Sequence, residues 1–222
     1  MENFADLYSD YLISSSSYAT STGMANLLSI KHDKITRELS NGDYDSKFLW
    51  KQSKVYVKEL TQSKELITLS FDDSIEEKRY TDESELHCWH FDHTFGKSVR
   101  GVNFLTALIE VGTMRLPCAV EFVKKDLWKK DPKTGKEKRK SSVSKNELFR
   151  KMLRECNGKF RFDYVLADSW YSSNENMNCC KKELNNDFIM ALKSNRKVAL
   201  SLENKQNKEY ISIETLQLGQ QT

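Results

Sequence analysis

The stretch ELITLSFDDS, residues 65–74, is where the chain changes character. Residues 65–71 are rich in apolar and β-branched side chains and read as a strand, closed by Asp72 and Asp73. Downstream, RGVNFLTALIEVG (100–112) and MRLPCAVEFV (114–123) read the same way, and Gly112 with Thr113 supplies a tight turn that makes them a hairpin. SVSKNELFRKMLREC (142–156) then carries Leu148, Met152, Leu153 and Cys156 on one helical face, opened by a Ser144/Glu147 capping box. RFDYVLAD (161–168) is a further strand, NENMNCCKKEL (174–184) a helix opened by Ser172, Ser173 and Asn174, and DFIMALKS (187–194) the last strand. The order β-β-β-α-β-α-β, a hairpin beside strands linked through helices, predicts an α/β fold: a mixed sheet with helices packed on it.

Upstream of residue 63 no strand-like run occurs. Phe4, Leu7, Tyr8, Tyr11 and Leu12, then Ile35 and Leu39, recur at helical spacing. A Ser/Thr-rich turn precedes MANLLSIKHDKITRELSNG, two short helical patterns split by a polar break. The pair has the proportions of a helix-turn-helix unit in which Lys34, Thr36 and Arg37 would read DNA; the alternative is a scaffold bundle. Residues 1–62 are thus a helical, candidate DNA-binding region and 63–222 a sheet-bearing domain.

The 222 residues are 30% charged with only 8 Gly and 2 Pro, which excludes collagen-like, proline-linker and disulfide-scaffold classes. No apolar run approaches the roughly 20 residues of a membrane helix, and the acidic, polar MENFADLYSDY is no signal peptide, so a cytoplasmic chain with no membrane partner is expected. Cys88, Cys118, Cys156, Cys179 and Cys180 lack CxxC spacing and read as free thiols. The net charge of +3 conceals KKDLWKKDPKTGKEKRK (124–140), with nine Lys/Arg against three Asp/Glu: the segment is +6, the remainder −3. Such a run neutralises several phosphates, with Lys136, Lys138, Arg139 and Lys140 as its candidate DNA contacts. The alternative is a solvated, flexible loop.

Two strands end in carboxylates, the first at Asp72 and Asp73, the fourth at Asp168. Burying a carboxylate costs several kcal/mol unless a cation or hydrogen bonds compensate, so acids at adjacent strand ends suggest a hard-metal site suited to Mg²⁺ and phosphoryl transfer. The alternative is that each Asp closes a strand or caps a helix. HCWHFDH (87–93) packs His87, Cys88, His90, Asp92 and His93 together, but zinc would need a second ligand pair that the sequence lacks. It reads instead as a loop whose Trp89 and Phe91 pack while the histidines face polar groups, with Asp92 or His93 able to lie beside the metal centre. Trp170 and Tyr171, next to Asp168, are candidates to stack on a base frayed from DNA, core packing being the alternative.

LSFDDSIEEKRYTDE, HCWHFDHTFGKSVRGVNFL, the stretch from FVKK through DPKTGKEKRKSSVSKNELFRKML, FDYVLADSWYSSNENM and FIMALKSNR together resemble successive blocks of the DDE-type transposases of bacterial insertion sequences, specifically the insertion-sequence-four group. YLISSSSYATSTGMANLL with HDKITRELS is similar to the region before that domain. The resemblance implies an RNase H-like fold, Mg²⁺ or Mn²⁺, and cleavage and transfer of DNA strands at the terminal inverted repeats of an element. It also implies a nucleoid-associated bacterial protein that assembles with itself or with a full-length transposase. The first family acid falls on Asp72, with Asp73 as the other choice, and the second on Asp168; Asp72 and Asp168 would bind the metals. The third acid is where the chain departs. The family's Glu is expected on a later helix in a Tyr-x2-Arg-x3-Glu-x6-Lys pattern, and no Tyr here has Arg three residues on. Glu203, Glu209 and Glu214 follow the last strand too soon. What is expected is therefore a truncated copy: an incomplete RNase H-like domain lacking the final acidic helix and inactive alone, or else a DNA-binding remnant that inhibits a full-length relative.

Overall fold

The computed structural model describes residues 4–16, 18–132 and 134–216. Two compact units divide at Tyr44/Asp45. The first holds α1 (Phe4–Ser14), α2 (Ser21–Leu28) and α3 (His32–Asn41). Thr20 caps α2 by accepting from the Gly23 N–H, and Ser29 ends it in the left-handed region at φ 54°. Met24, Ala25 and Ile35 are buried there, with Phe4, Leu7, Tyr8, Tyr11, Leu28 and Leu39 packed around them.

The second unit opens with α4 (Ser46–Leu60), capped by Asp45, whose carboxylate accepts from the Lys47 and Phe48 N–H groups. Trp50, Ser53, Val57 and Leu60 recur at helical spacing, and Val57, Trp50 and Leu60 join the core beneath the sheet. The helix that the sequence groups with residues 1–62 therefore belongs structurally with the sheet. Then follow β1 (Ile67–Glu77), β2 (His87–Asp92), β3 (Lys97–Val111), β4 (Met114–Phe122), β5 (Leu127–Lys130), β6 (Glu137–Lys140), α5 (Lys145–Asn157), β7 (Tyr164–Ala167), α6 (Asn174–Asn178) and β8 (Asp187–Met190). Short β9 (Lys197–Val198), α7 (Leu202–Gln206) and β10 (Ile211–Ser212) close the described chain.

β1 is the axis of a six-stranded mixed sheet. It runs antiparallel to β3 from Ile67↔Val111 to Glu77↔Gly101, and parallel to β7 from Thr68↔Tyr164 to Phe71↔Ala167. β8 continues parallel to β7, while β2 and β4 lie antiparallel along the other edge of β3. Gly112, at φ +58°, makes the β3–β4 turn, where an L side chain would be strained. This is an α/β mixed sheet with flanking helices, the class that the order of strands and helices predicts. On β3, Val99, Leu105, Ala107, Ile109 and Val111 are buried in alternation with half-exposed neighbours, so one face carries the core. There Phe71 meets Phe149 of α5 at 4.6 Å, and Phe149 stacks on Tyr171 at 5.4 Å. The α5 capping box forms as read, and Leu148, Met152, Leu153 and Cys156 are buried with Phe149.

Three local readings change. HCWHFDH is not a loop: residues 87–92 form β2, with His87 and His90 buried and Trp89 and Phe91 exposed. The His87 ring nitrogens lie against backbone carbonyls, Asp82 O at 2.9 Å and Lys78 O at 2.7 Å, and the N–H of the buried ring has a carbonyl to donate to in either tautomer. β1 does not stop at Asp72 and Asp73, because β3 pairs with it as far as Glu77. The basic segment is not a plain loop either, since β5 and β6 pair in it from Leu127↔Lys140 to Lys130↔Glu137. The five cysteines are free and buried.

Candidate active site

The parallel ladder between β1 and β7 ends at Phe71↔Ala167, so the next residues on each strand, Asp72 and Asp168, fall side by side where it stops. Both are exposed. Asp72 Oδ1 accepts from the Asp73 N–H at 2.8 Å, and Asp168 Oδ1 from the Trp170 N–H at 2.9 Å. Partial burial pushes the Asp72 carboxyl above the ordinary range against that hydrogen bond, and the charges of Asp73 and Asp168 push it the same way.

Asp73 is one residue on and therefore on the opposite face of β1, turned toward α5. It pairs with Lys145, accepts from the Tyr171 hydroxyl at 2.8 Å and from Asn103 Nδ2 at 3.4 Å. Burial alone would raise its carboxyl; the Lys145 ammonium, the Tyr171 hydroxyl and the Asn103 amide outweigh it and hold the group below the usual carboxylate range. Burial, then the Asp73 charge, push the Tyr171 hydroxyl up, so it stays a donor. Asp72 thus faces open space with oxygens to spare, whereas Asp73 is consumed by protein partners.

A cleft of about 670 Å³ opens over the pair, lined among others by Asp72, Asp92, His93, Lys145, Asp168 and Trp170, and Asp73 reaches its wall beside Lys145. Asp92 and His93 thus do lie beside the carboxylates, while His87 and His90 point into the interior. Lys145 and Lys193 also line the cleft. Neither stands out in the sequence: Lys145 follows the Ser144 cap, a signal for a helix start that does not reveal what the first turn faces. Trp170 lies at the rim, but Tyr171 is fully buried and cannot meet a base.

The other candidate DNA contacts lie elsewhere. Lys136, Lys138 and Lys140 are exposed on or beside the β5–β6 hairpin, where Lys138 pairs with Asp131 at 2.7 Å. Arg139 is less free: it sits 4.5 Å over the Trp128 ring and pairs with Glu83 at 3.1 Å. Lys34 and Arg37 are exposed on α3, in the first unit.

A model of the DDE superfamily endonuclease family matches residues 2–209. The chain belongs to that family. No curated protein matches it. Among solved structures, the DDE endonuclease is similar to a Drosophila P element transposase strand transfer complex, with 12% identity over 86% of this chain and 41% of that one, at TM-score 0.33. It is also similar to a Mos1 strand transfer complex (10% identity, 86% and 58% covered, TM-score 0.28) and to a Mos1 paired-end complex with the left transposon end (11%, 84% and 57%, TM-score 0.27). The chain spans less than two thirds of each of these.

The donor set at Asp72 and Asp168 suits a hard divalent cation: two carboxylates, both solvent-facing, whose mutual repulsion a cation would relieve. Among the described residues, no group of three or more His, Cys, Asp or Glu side chains is arranged to hold a metal ion. Among the same residues, no helix is long and apolar enough to cross a membrane.

Proposed function

We propose that this DDE endonuclease is an insertion-sequence transposase polypeptide of the insertion-sequence-four group. It would act on the terminal inverted repeats of its element, with Asp72 and Asp168 as the acids of a phosphoryl-transfer centre. The observation that carries the reading is the register of β1 and β7, which ends with the two carboxylates adjacent under an open cleft. Asp72 and Asp168 would hold Mg²⁺ or Mn²⁺, which when bound activates water or a 3′-hydroxyl and stabilises the departing oxygen. The chain's own part is positional. β1 and β7 set the spacing of the acids, the Trp170 N–H orients Asp168, the Asp73 N–H orients Asp72, and the Asp73–Lys145 pair holds a cation at the cleft where phosphate would lie. Asp73 is a positioning residue in this scheme and not a metal ligand. DNA would be held by the lysines of the β5–β6 hairpin and by Lys34 and Arg37.

One observation favours a second reading, a chain that holds element ends without cutting and so restrains an active relative. The exposed lysines of the β5–β6 hairpin do not line the carboxylate cleft, so they can hold DNA whether or not the carboxylates act. Labelled terminal-repeat DNA incubated with Mg²⁺ or Mn²⁺ separates the two. Nicking that Asp72→Ala and Asp168→Ala both abolish supports the catalytic centre; salt-sensitive retention without nicking supports the restraining role; no retention even at low salt overturns both.

A further inference from the structure

The cleft contains more than its carboxylates. One wall is aromatic: Phe91 meets His93 edge-on at 4.9 Å, and His93 lies 5.6 Å from Trp170. Phe91 and Trp170 remain 54% and 45% exposed, a large apolar area to leave open beside a charged site. Two ammonium groups attend the indole, Lys193 Nζ at 4.9 Å from its centroid and Lys145 Nζ at 5.9 Å. The backbone that carries the indole is held beside the acids: the Trp170 main-chain N–H donates to Asp168 Oδ1, and the following residue, Tyr171, is locked into the core through its hydroxyl bond to Asp73.

An exposed, fixed aromatic face with two cations beside it complements a single nucleotide, the ring for the base and the ammonium groups for its phosphates. A base inside a duplex has both faces covered by its neighbours, so only a base out of the stack can use such a wall. We propose that Trp170, with His93 and Phe91, binds the base of one unpaired nucleotide next to the phosphate offered to Asp72 and Asp168. Lys193 neutralises its phosphate, with Lys145, paired to Asp73, beside it. The inference rests on the DNA-processing reading above and narrows its substrate to DNA opened at the site of reaction. Stacking on a base outweighs an exposed cation–π contact, so the incoming base displaces the Lys193 ammonium from the indole and frees it for phosphate. A cleft of about 670 Å³ is of the size that takes one small ligand.

The test compares binding of a labelled single-stranded thymidylate octamer and a blunt duplex, by fluorescence anisotropy at fixed salt without divalent metal. Trp170→Ala is expected to weaken single-strand binding by about 5- to 150-fold, the range that base–aromatic stacking supplies. Duplex binding, carried by the hairpin lysines, is expected to change by less than about twofold. Trp170→Phe should keep most of the single-strand affinity, and His93→Ala should show the same selectivity as Trp170→Ala to a smaller degree. Unchanged single-strand binding in Trp170→Ala, or equal losses on both DNAs, overturns the nucleotide site and leaves the broader reading standing. A wild-type chain that binds neither DNA at low salt overturns both.

Discussion

Asp72 and Asp73 are neighbours in sequence and opposites in circumstance. Strand alternation gives Asp72 to the open side of β1 and Asp73 to the helix side, where Lys145, Tyr171 and Asn103 satisfy it. Removing Asp73 strands a half-buried ammonium, so Asp73→Ala should cost about 2 kcal/mol, or roughly 4–8 °C in thermal midpoint. Asp72→Ala removes a carboxylate crowded by two others and should leave the midpoint within a degree or two, or raise it. Equal losses in the two variants would contradict this division of roles. Sequence alone offers the DDS block but not the choice within it, because which Asp faces the helix depends on packing 72 residues away, at Lys145. His90 makes a second residue-scale prediction. Burial first, then the charges of Lys125 and Lys145, depress its imidazole to about 4 from 6.5. The unfolded chain therefore binds more protons between those values, and stability is lost as pH falls through that window. Denaturant melts at pH 7 and 5 should differ by roughly 2 kcal/mol from this group, and His90→Gln should shrink the step.

At the scale of elements, the β5–β6 hairpin has two unlike faces. Leu127, Lys129, Lys138 and Lys140 share one, with Lys129 directly opposite Lys138, a like-charge pair that the Asp131 carboxylate on Lys138 offsets. On the other, Arg139 is held between Trp128 and Glu83. Replacing Lys138 and Lys140 by Ala should therefore weaken DNA binding and reduce the slope of log K against log salt by up to about 1.8, with little change in thermal midpoint. Arg139→Ala should instead lower the midpoint, by an amount of the order of 1 kcal/mol, through the lost cation–π contact and ion pair. An unchanged salt slope in the double variant would remove the hairpin from the DNA-contact surface. The charge run is plain in the sequence, but its pairing is not, because LWKK and EKRK are four-residue strands with no apolar alternation to read. β2 was hidden for a related reason. Its inward residues are His87, Cys88 and His90, and such side chains signal a core strand only once partners such as the carbonyls of Asp82 and Lys78 are seen. By contrast β1, β3 and α5 are legible because their apolar residues match their burial, and β4, β7 and β8 because their runs are apolar, although Ile189 of β8 is exposed.

For the whole molecule, the elements that carry Asp72 and Asp168 are visible in the sequence, but their meeting is not, because β2 to β6 and α5 all intervene between β1 and β7 before the two pair in parallel. The division into units is not visible either. Helical periodicity runs unbroken in character from residue 4 to 60, and only tertiary contacts reveal that α4 serves the sheet. A chain starting at Asp45 should thus keep the sheet's thermal transition, whereas one starting at Ser63 loses Val57, Trp50 and Leu60 from the core and should fail to fold. Comparable melts for the two deletions would contradict that boundary. The most direct measurement of the carboxylate centre is a Mn²⁺ titration followed by electron paramagnetic resonance, which needs neither turnover nor a known target site. Saturable binding should weaken at least about tenfold in Asp72→Ala and in Asp168→Ala and persist in Asp73→Asn. Binding unchanged in the first two variants, or lost only in the third, would contradict the assignment of Asp72 and Asp168 as the metal-holding pair.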